Sequence, residues 1–227
     1  EYLDINETLA ELENNSSVIR LELNTIELPL FSKDPKRIKN QIKIYHFKTD
    51  KSSYLEIEAP ANYSIPGEFE ERVFIALTKI MKNNNYSRSF VVSANEILET
   101  LGLSNKAYYK RIREALTLLS KTNYTFLNSL YSNKESGIIE KKIISSIMNI
   151  TIISKKDSRA KEIEAFEDGR IKEVYEINFT DYFYENIIRK GYLAFDSGKL
   201  LAIENSVSRA IYTIVEKWRG YDPMSLS

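Results

Sequence analysis

Two helix starts separated by a glycine stop, at Ser93, Gly102 and Ser104, restrict this chain more than any other stretch. Ser93-Ala94-Asn95-Glu96 is a capping box: the serine oxygen takes an orphan backbone N–H, and the glutamate side chain reaches back to the cap. Ile97, Leu98 and Leu101 give the helix an apolar face. Gly102 ends it, because glycine adopts the left-handed conformation just past a helix end without strain. Ser104 caps a second helix, predicted over Asn105 to Lys121. A short helix, a tight turn and a longer helix make a helix-turn-helix.

The second helix has two faces. Tyr108, Ile112, Ala115 and Leu119 recur at helical spacing and are expected to pack on the preceding helices. Lys106, Lys110, Arg113 and Thr117 occupy another face, with Asn105 and Tyr109 beside its N-terminal end. That face carries three cations and no acid. A DNA major groove admits one α-helix, and side chains of its N-terminal half reach base edges. Asn pairs with adenine and Arg or Lys with guanine, while further cations hold phosphates. The candidate DNA-contacting residues are therefore Asn105, Lys106, Tyr109, Lys110, Arg113 and Thr117. The competing reading is a solvated basic face on an ordinary core helix.

The flanking elements support the first reading. Ile42 to Phe47 and Tyr54 to Glu58 alternate in polarity around the turn Thr49 to Ser53, a hairpin signal. Glu68 to Asn83 places Phe69, Val73, Ala76, Leu77 and Ile80 on one helix face and opens with three glutamates at its positive end. The β-rich Phe90 to Val92 leads into Ser93. Two β stretches, Tyr124 to Tyr131 and Ile143 to Ile153, follow the helix pair across a polar loop. This order is that of a winged helix. The loop Asn133 to Lys142 is the expected wing, and its Lys134, Lys141 and Lys142 join the candidate DNA contacts. Lys33 to Lys43 (KDPKRIKNQIK) is a second basic surface. A charged linker with an Asp168-Gly169 turn leads to a strand over Lys172 to Phe179 and a short helix over Thr180 to Lys190. Lys199 to Trp218 is predicted as one helix with a core stripe of Leu200, Ile203, Val207, Ile211, Ile214 and Trp218.

Composition narrows the chemistry. Lys plus Arg and Asp plus Glu number 32 each, so any basic face must come from uneven placement. The first fourteen residues hold five acids and no Lys or Arg. There is no cysteine and a lone histidine, His46, which rules out a disulfide and a structural zinc site built on those residues. It also removes the paired-histidine metal site that a DNA-nicking enzyme needs beside its tyrosine. Gly198-Lys199 follows Gly191 with the wrong spacing for a phosphate loop, and Leu200 stands where Ser or Thr must hold magnesium. No cofactor, no catalysis, no membrane span and a cytoplasmic location are the expectations.

Four stretches taken in order resemble the replication initiator protein A family of plasmid initiators, and more loosely the iteron-binding initiators. They are Ile26-Glu27-Leu28-Pro29-Leu30-Phe31-Ser32, Tyr63-Ser64-Ile65-Pro66 leading into Phe69 to Leu77, the helix-turn-helix Ser93 to Leu119, and Asn205-Ser206-Val207-Ser208-Arg209-Ala210-Ile211-Tyr212. Val207 departs from a proline expected there in many relatives. The resemblance implies tandem winged-helix domains, double-stranded DNA at plasmid origin repeats as ligand, exchange between monomer and dimer, and host replication proteins as further partners. It also makes Ser206 to Trp218 the first helix of a second domain. The expected fold is thus α+β: an acidic N-terminal arm over 1–25, a winged helix-turn-helix domain over 26–179, and a truncated second winged-helix domain starting at 180–227. The hairpin Ile42 to Glu58 offers a strand edge for self-association. A transcriptional repressor and a winged-helix protein-protein module are the alternative functions.

Overall fold

The computed structural model describes residues 16–221, with the acidic start and a short helix expected around Leu9 to Leu12 lying outside them. Helix α2 (Glu68–Asn83), which follows the short α1 (Leu23–Glu27), sits at the centre of the fold. Its predicted apolar face is buried throughout: Val73, Ala76, Leu77 and Ile80 are wholly inaccessible and Phe69 nearly so. Each of these side chains larger than Ala76 contributes about 1.5–3 kcal/mol by leaving water. The helix starts where Glu70 accepts the Gly67 N–H at 2.7 Å, with three glutamates in its first turn.

The expected hairpin forms from β2 (Ile42–His46) and β3 (Tyr54–Glu58), in the register Ile42 opposite Glu58 and His46 opposite Tyr54. Alternation decides its faces: Leu55 and Ile57 point into the core, while Ile42 and Ile44 lie on the exposed face. β5 (Asn123–Leu127) adds to β3, and β8 (Lys142–Ser145) adds to β5, giving the antiparallel order β2-β3-β5-β8. Between them lies a two-residue ladder, β6 (Tyr131–Ser132) with β7 (Gly137–Ile138).

A second sheet has the order β4-β10-β9, from β4 (Ser89–Val92), β9 (Met148–Ser154) and β10 (Glu173–Phe179), all antiparallel. The sequence reads Ile143 to Ile153 as one β stretch; the chain instead breaks at Ser146-Ile147 and changes sheets. Thr180 donates to the carbonyls of Ser146 and Ile147 at 3.1 and 2.9 Å, and Ser145 donates to Ser146 at 2.8 Å. These bonds occupy the carbonyls that a continuous ladder would have used.

Residues 18–25, expected in the acidic arm, form structure instead. β1 (Val18–Glu22) pairs antiparallel with β11 (Tyr192–Asp196), a strand with no clear sequence signal. Ile19 is wholly buried, and α5 (Asp181–Ile188) contributes Phe183 and Ile187 to the same core as α2. The shared core extends to Phe195 and Leu200, so residues on both sides of position 180 pack together.

The predicted helix Lys199 to Trp218 is two helices, α6 (Ser197–Ala202) and α7 (Ser206–Tyr221). Asn205 restarts the helix by accepting the N–H groups of Val207 and Ser208 at 2.9 and 3.0 Å. The break also rotates the stripe. Leu200 stays in the core, but Val207, Ile211, Ile214 and Trp218 are exposed, and α7 buries Ser206, Arg209 and Thr213. Arg209, 1 % exposed, reaches Glu71 on α2 at 3.2 Å and the Ile203 carbonyl at 2.5 Å, while Lys33 holds the other Glu71 oxygen at 2.7 Å. A polar clamp holds α7 where the sequence pattern predicts an apolar seam.

Candidate nucleic-acid interface

Helix α3 (Ala94–Thr100) begins at Ser93, whose hydroxyl oxygen accepts the Glu96 N–H at 3.1 Å. It closes as Leu103 donates to the Leu98 carbonyl at 3.0 Å across Gly102, which holds φ +70°. The next helix, α4, spans Tyr108–Lys121 and starts later than the Ser104 cap predicts. The Asn105 side chain accepts the Ala107 N–H at 2.9 Å, forming a local turn that competes with helix over residues 105–107. Asn105 and Lys106 therefore lie on an exposed turn in front of α4.

Along α4 the two predicted faces separate. Ile112, Ala115 and Leu119 are buried together with Leu116 and Leu118, and Tyr108 stacks on Phe69 of α2 with centroids 6.1 Å apart. Lys110 and Arg113 stand in solvent with side chains 86 % and 53 % exposed. Glu114 lies 3.9 Å from Lys110, so the exposed surface is not free of acid. Thr117 is half-buried and donates its hydroxyl hydrogen to the Arg113 carbonyl at 2.8 Å. Tyr109 is fixed by a 2.8 Å hydrogen bond to Asn95 on α3. Arg111 lies over the Phe69 ring at 4.0 Å, a contact that parks this cation on the core.

The β4-β10-β9 sheet is tied to the exposed side of α4. Arg113 Nη1 lies 3.4 Å from a carboxylate oxygen of Glu173, the first residue of β10. The loop joining β9 to β10, residues 155–172, carries Lys155, Lys156, Arg159, Lys161, Arg170 and Lys172. Arg170 is close enough to Tyr109 for the two to interact electrostatically. This loop is folded rather than open: two 3-10 turns, Ser158–Glu162 and Glu164–Glu167, bury Ala160 and Phe166 against Ile153 and Val174. Its Asp168 accepts from the Arg170 side chain at 3.1 Å, which holds the aspartate below the usual carboxylate range. The predicted Asp168-Gly169 turn thus belongs to a folded loop next to α4, in which Asp157, Glu162, Glu164, Glu167 and Asp168 nearly balance the six cations.

The other expected cations lie elsewhere. Lys134 sits in the turn between β6 and β7, near Glu185 of α5. Asn133 beside it donates its side-chain N–H to the Arg189 carbonyl and its backbone N–H to the Asn186 side-chain oxygen at 2.8 Å. Lys141 and Lys142 are exposed where β8 begins, with Lys142 opposite Leu127. Among the described residues, none of these three lysines shares an ion pair with α4. In the stretch Lys33 to Lys43, Lys33 pairs with Glu71, Arg37 with Glu70 at 3.1 Å, and Lys43 donates to Ser32 at 3.3 Å. Folding therefore uses three of its cations. Among the described residues, no group of three or more His, Asp or Glu is placed to hold a metal ion, and no helix is long and apolar enough to cross a membrane.

These features define an α+β protein of small antiparallel sheets around a central helix, with a helix pair that presents Lys110 and Arg113 to solvent. The same fold occurs in two crystal structures of domains 2 and 3 of RctB. One, of selenomethionine derivatives, is 14 % identical with a TM-score of 0.57, covering 90 % of this chain and 71 % of that one. The other, of residues 155–483, is 15 % identical with a TM-score of 0.51, covering 90 % and 70 %. No curated protein sequence matches the chain. The family model described as Replication initiator protein A matches residues 20–226. The chain belongs to that family, and its role is in replication initiation.

Proposed function

We propose that this chain initiates replication by binding double-stranded origin DNA through a winged helix made of α2, β4, α3, α4, β9 and β10. In this reading α4 enters the major groove with Lys110 and Arg113, while Asn105, Lys106 and Tyr109 flank its entry. The observation that carries the proposal is the division of α4: Ile112, Ala115 and Leu119 are spent on the core, and Lys110 and Arg113 project away from it. The sheet order β4-β10-β9 supports it, because a third strand between the first two is how a winged helix frames its recognition helix.

The wing in this proposal is the β9–β10 loop, residues 155–172, because that loop joins the strands beside α4. The expected wing Asn133 to Lys142 belongs to the other sheet, so Lys134, Lys141 and Lys142 serve only as peripheral phosphate contacts on a longer duplex. The protein acts by binding and not by catalysis. Self-association runs through the β2 edge, which is unpaired on one side and exposes Ile42 and Ile44 beside Glu58 and Glu56.

The test is a gel shift with origin and random duplexes, using the chain with Lys106, Lys110 and Arg113 changed together to alanine. The triple variant is expected to lose binding to both duplexes, and wild-type affinity is expected to fall steeply with salt. Unchanged binding by the triple variant would remove α4 from the interface. Salt-independent capture of protein with no DNA affinity would instead favour a protein-protein module.

A further inference from the structure

An exposed ion pair between one arginine and one carboxylate is ordinarily a loose, solvated contact. The pair between Arg113 and Glu173 differs because its carboxylate is fixed from behind. The Tyr175 hydroxyl donates to Glu173 Oε1 at 2.6 Å, and Glu173 Oε2 faces Arg113 Nη1 at 3.4 Å. Tyr175 is 1 % exposed and lies on the central strand β10, paired to Val92 on one side and Ile152 on the other. The sheet position of Tyr175 therefore fixes where the carboxylate stands, and the carboxylate sets a counter-charge beside the guanidinium.

The lysines on the same surface have no such support. Lys110 reaches Glu114 only at 3.9 Å, and Lys106 has no ion pair among the described residues. A lysine is a mobile point charge, whereas an arginine held at one nitrogen still offers a planar fork to a partner. That fork matches the O6 and N7 acceptors of guanine in the major groove.

Resting on the DNA-binding reading above, we infer that Arg113 reads a guanine, with Glu173 and Tyr175 as positioning residues, whereas Lys106 and Lys110 hold phosphates. Glu173 has a second effect. Its negative charge opposes approach by an arbitrary phosphate, so the arginine engages where a base edge completes its hydrogen bonds.

The experiment selects duplexes from a randomised pool with the full chain. It then measures affinity for the selected and a random duplex with R113A, R113K, E173Q, Y175F and K110A, each checked by thermal melting. R113A is expected to weaken the selected duplex about tenfold to a hundredfold, leave the random duplex nearly unchanged and erase the preference for G at one position. R113K fails to restore that preference. Y175F removes only a hydroxyl and lowers the preference, while E173Q lowers it and strengthens random-duplex binding. K110A weakens both duplexes alike and reduces the salt slope by less than one, because Glu114 already neutralises part of that charge. If R113A behaves as K110A does, Arg113 is a phosphate contact and the inference falls while the DNA-binding reading stands. If Y175F and E173Q keep the wild-type preference, the positioning role falls. A wild-type chain that binds no duplex overturns both readings together.

Discussion

Glu22 is a carboxylic acid sealed inside the protein, and its ionisation links stability to pH. It ends β1 at 1 % exposure, and burial pushes its pKa from 4.5 up to about 7. Four donors partly offset that burial: the side chains of Asn186 at 2.5 Å and Asn24 at 2.6 Å, and the backbone N–H groups of Asn24 and, at 3.1 Å, Thr25. In the folded chain Glu22 keeps its proton until the pH nears 7, whereas in the unfolded chain it releases it near 4.5. The unfolded state therefore binds fewer protons between those values, and folding stability must fall as pH rises. The contribution is fully present below pH 4.5 and is lost as pH passes through about 7. At about 1.4 kcal/mol per pH unit, that interval is worth about 3 kcal/mol. Urea unfolding of wild type and E22Q from pH 4.5 to 8 isolates the effect, since the variant cannot ionise at that position. The absolute stability of E22Q also reflects an amide facing four donors, so the readout is the difference in slope. Wild type should lose about 3 kcal/mol more than E22Q across the range. Parallel curves would refute the argument, because they would mean that Glu22 is solvated or already ionised at low pH.

Two further substitutions test features of the fold. R209A removes the buried cation that ties α7 to Glu71 and should destabilise by about 3 kcal/mol, read by thermal melting, with faster amide exchange along α7; unchanged exchange there would mean that the clamp does not hold the helix. G102A meets no atom within 4 Å but must hold φ +70°, so a loss of about 1 kcal/mol in urea unfolding is expected from backbone strain alone.

Local signals carried far in this chain, and they stopped where long-range pairing took over. The α2 face, the Ser93 cap, the Gly102 stop and the β2–β3 hairpin all depend on residues within a few positions of one another, and each formed as expected. The start of α4 moved because the Asn105 side chain satisfies a neighbouring backbone N–H, a competition that helix periodicity does not register. β1 went unrecognised because its partner β11 lies more than 160 residues away, beyond what local pattern can specify. The stripe on α7 was visible, but its direction was not: a buried arginine and its acid on α2 decide which side of the helix faces inward. The fold of the charged loop 155–172 is hidden for a related reason. Its apolar anchors, Ala160 and Phe166, are sparse in a charged sequence and gain meaning only against Ile153 and Val174.

The neutral total charge becomes informative once the acids are located. Arg113 faces Glu173 at 3.4 Å, Arg159 faces Glu176 at 3.4 Å, Arg170 faces Asp168 at 3.1 Å and Lys110 lies 3.9 Å from Glu114. Exposed pairs of this kind contribute little to folding, so stability alone does not account for four of them on α4 and the β9–β10 sheet and loop. In the proposed function they lower the attraction for any passing phosphate, because each cation must exchange one anion for another. A duplex then gains most where it adds base-edge or shape contacts that a carboxylate cannot supply. The salt slope of specific binding should accordingly fall short of the number of cations on this surface, since only those without an acid partner, such as Lys106 and Lys121, release a full counterion from the DNA. A chain of zero net charge with internally paired cations sacrifices non-specific affinity, and what rises is the ratio of specific to non-specific binding, the quantity that selects one origin among many competing sites.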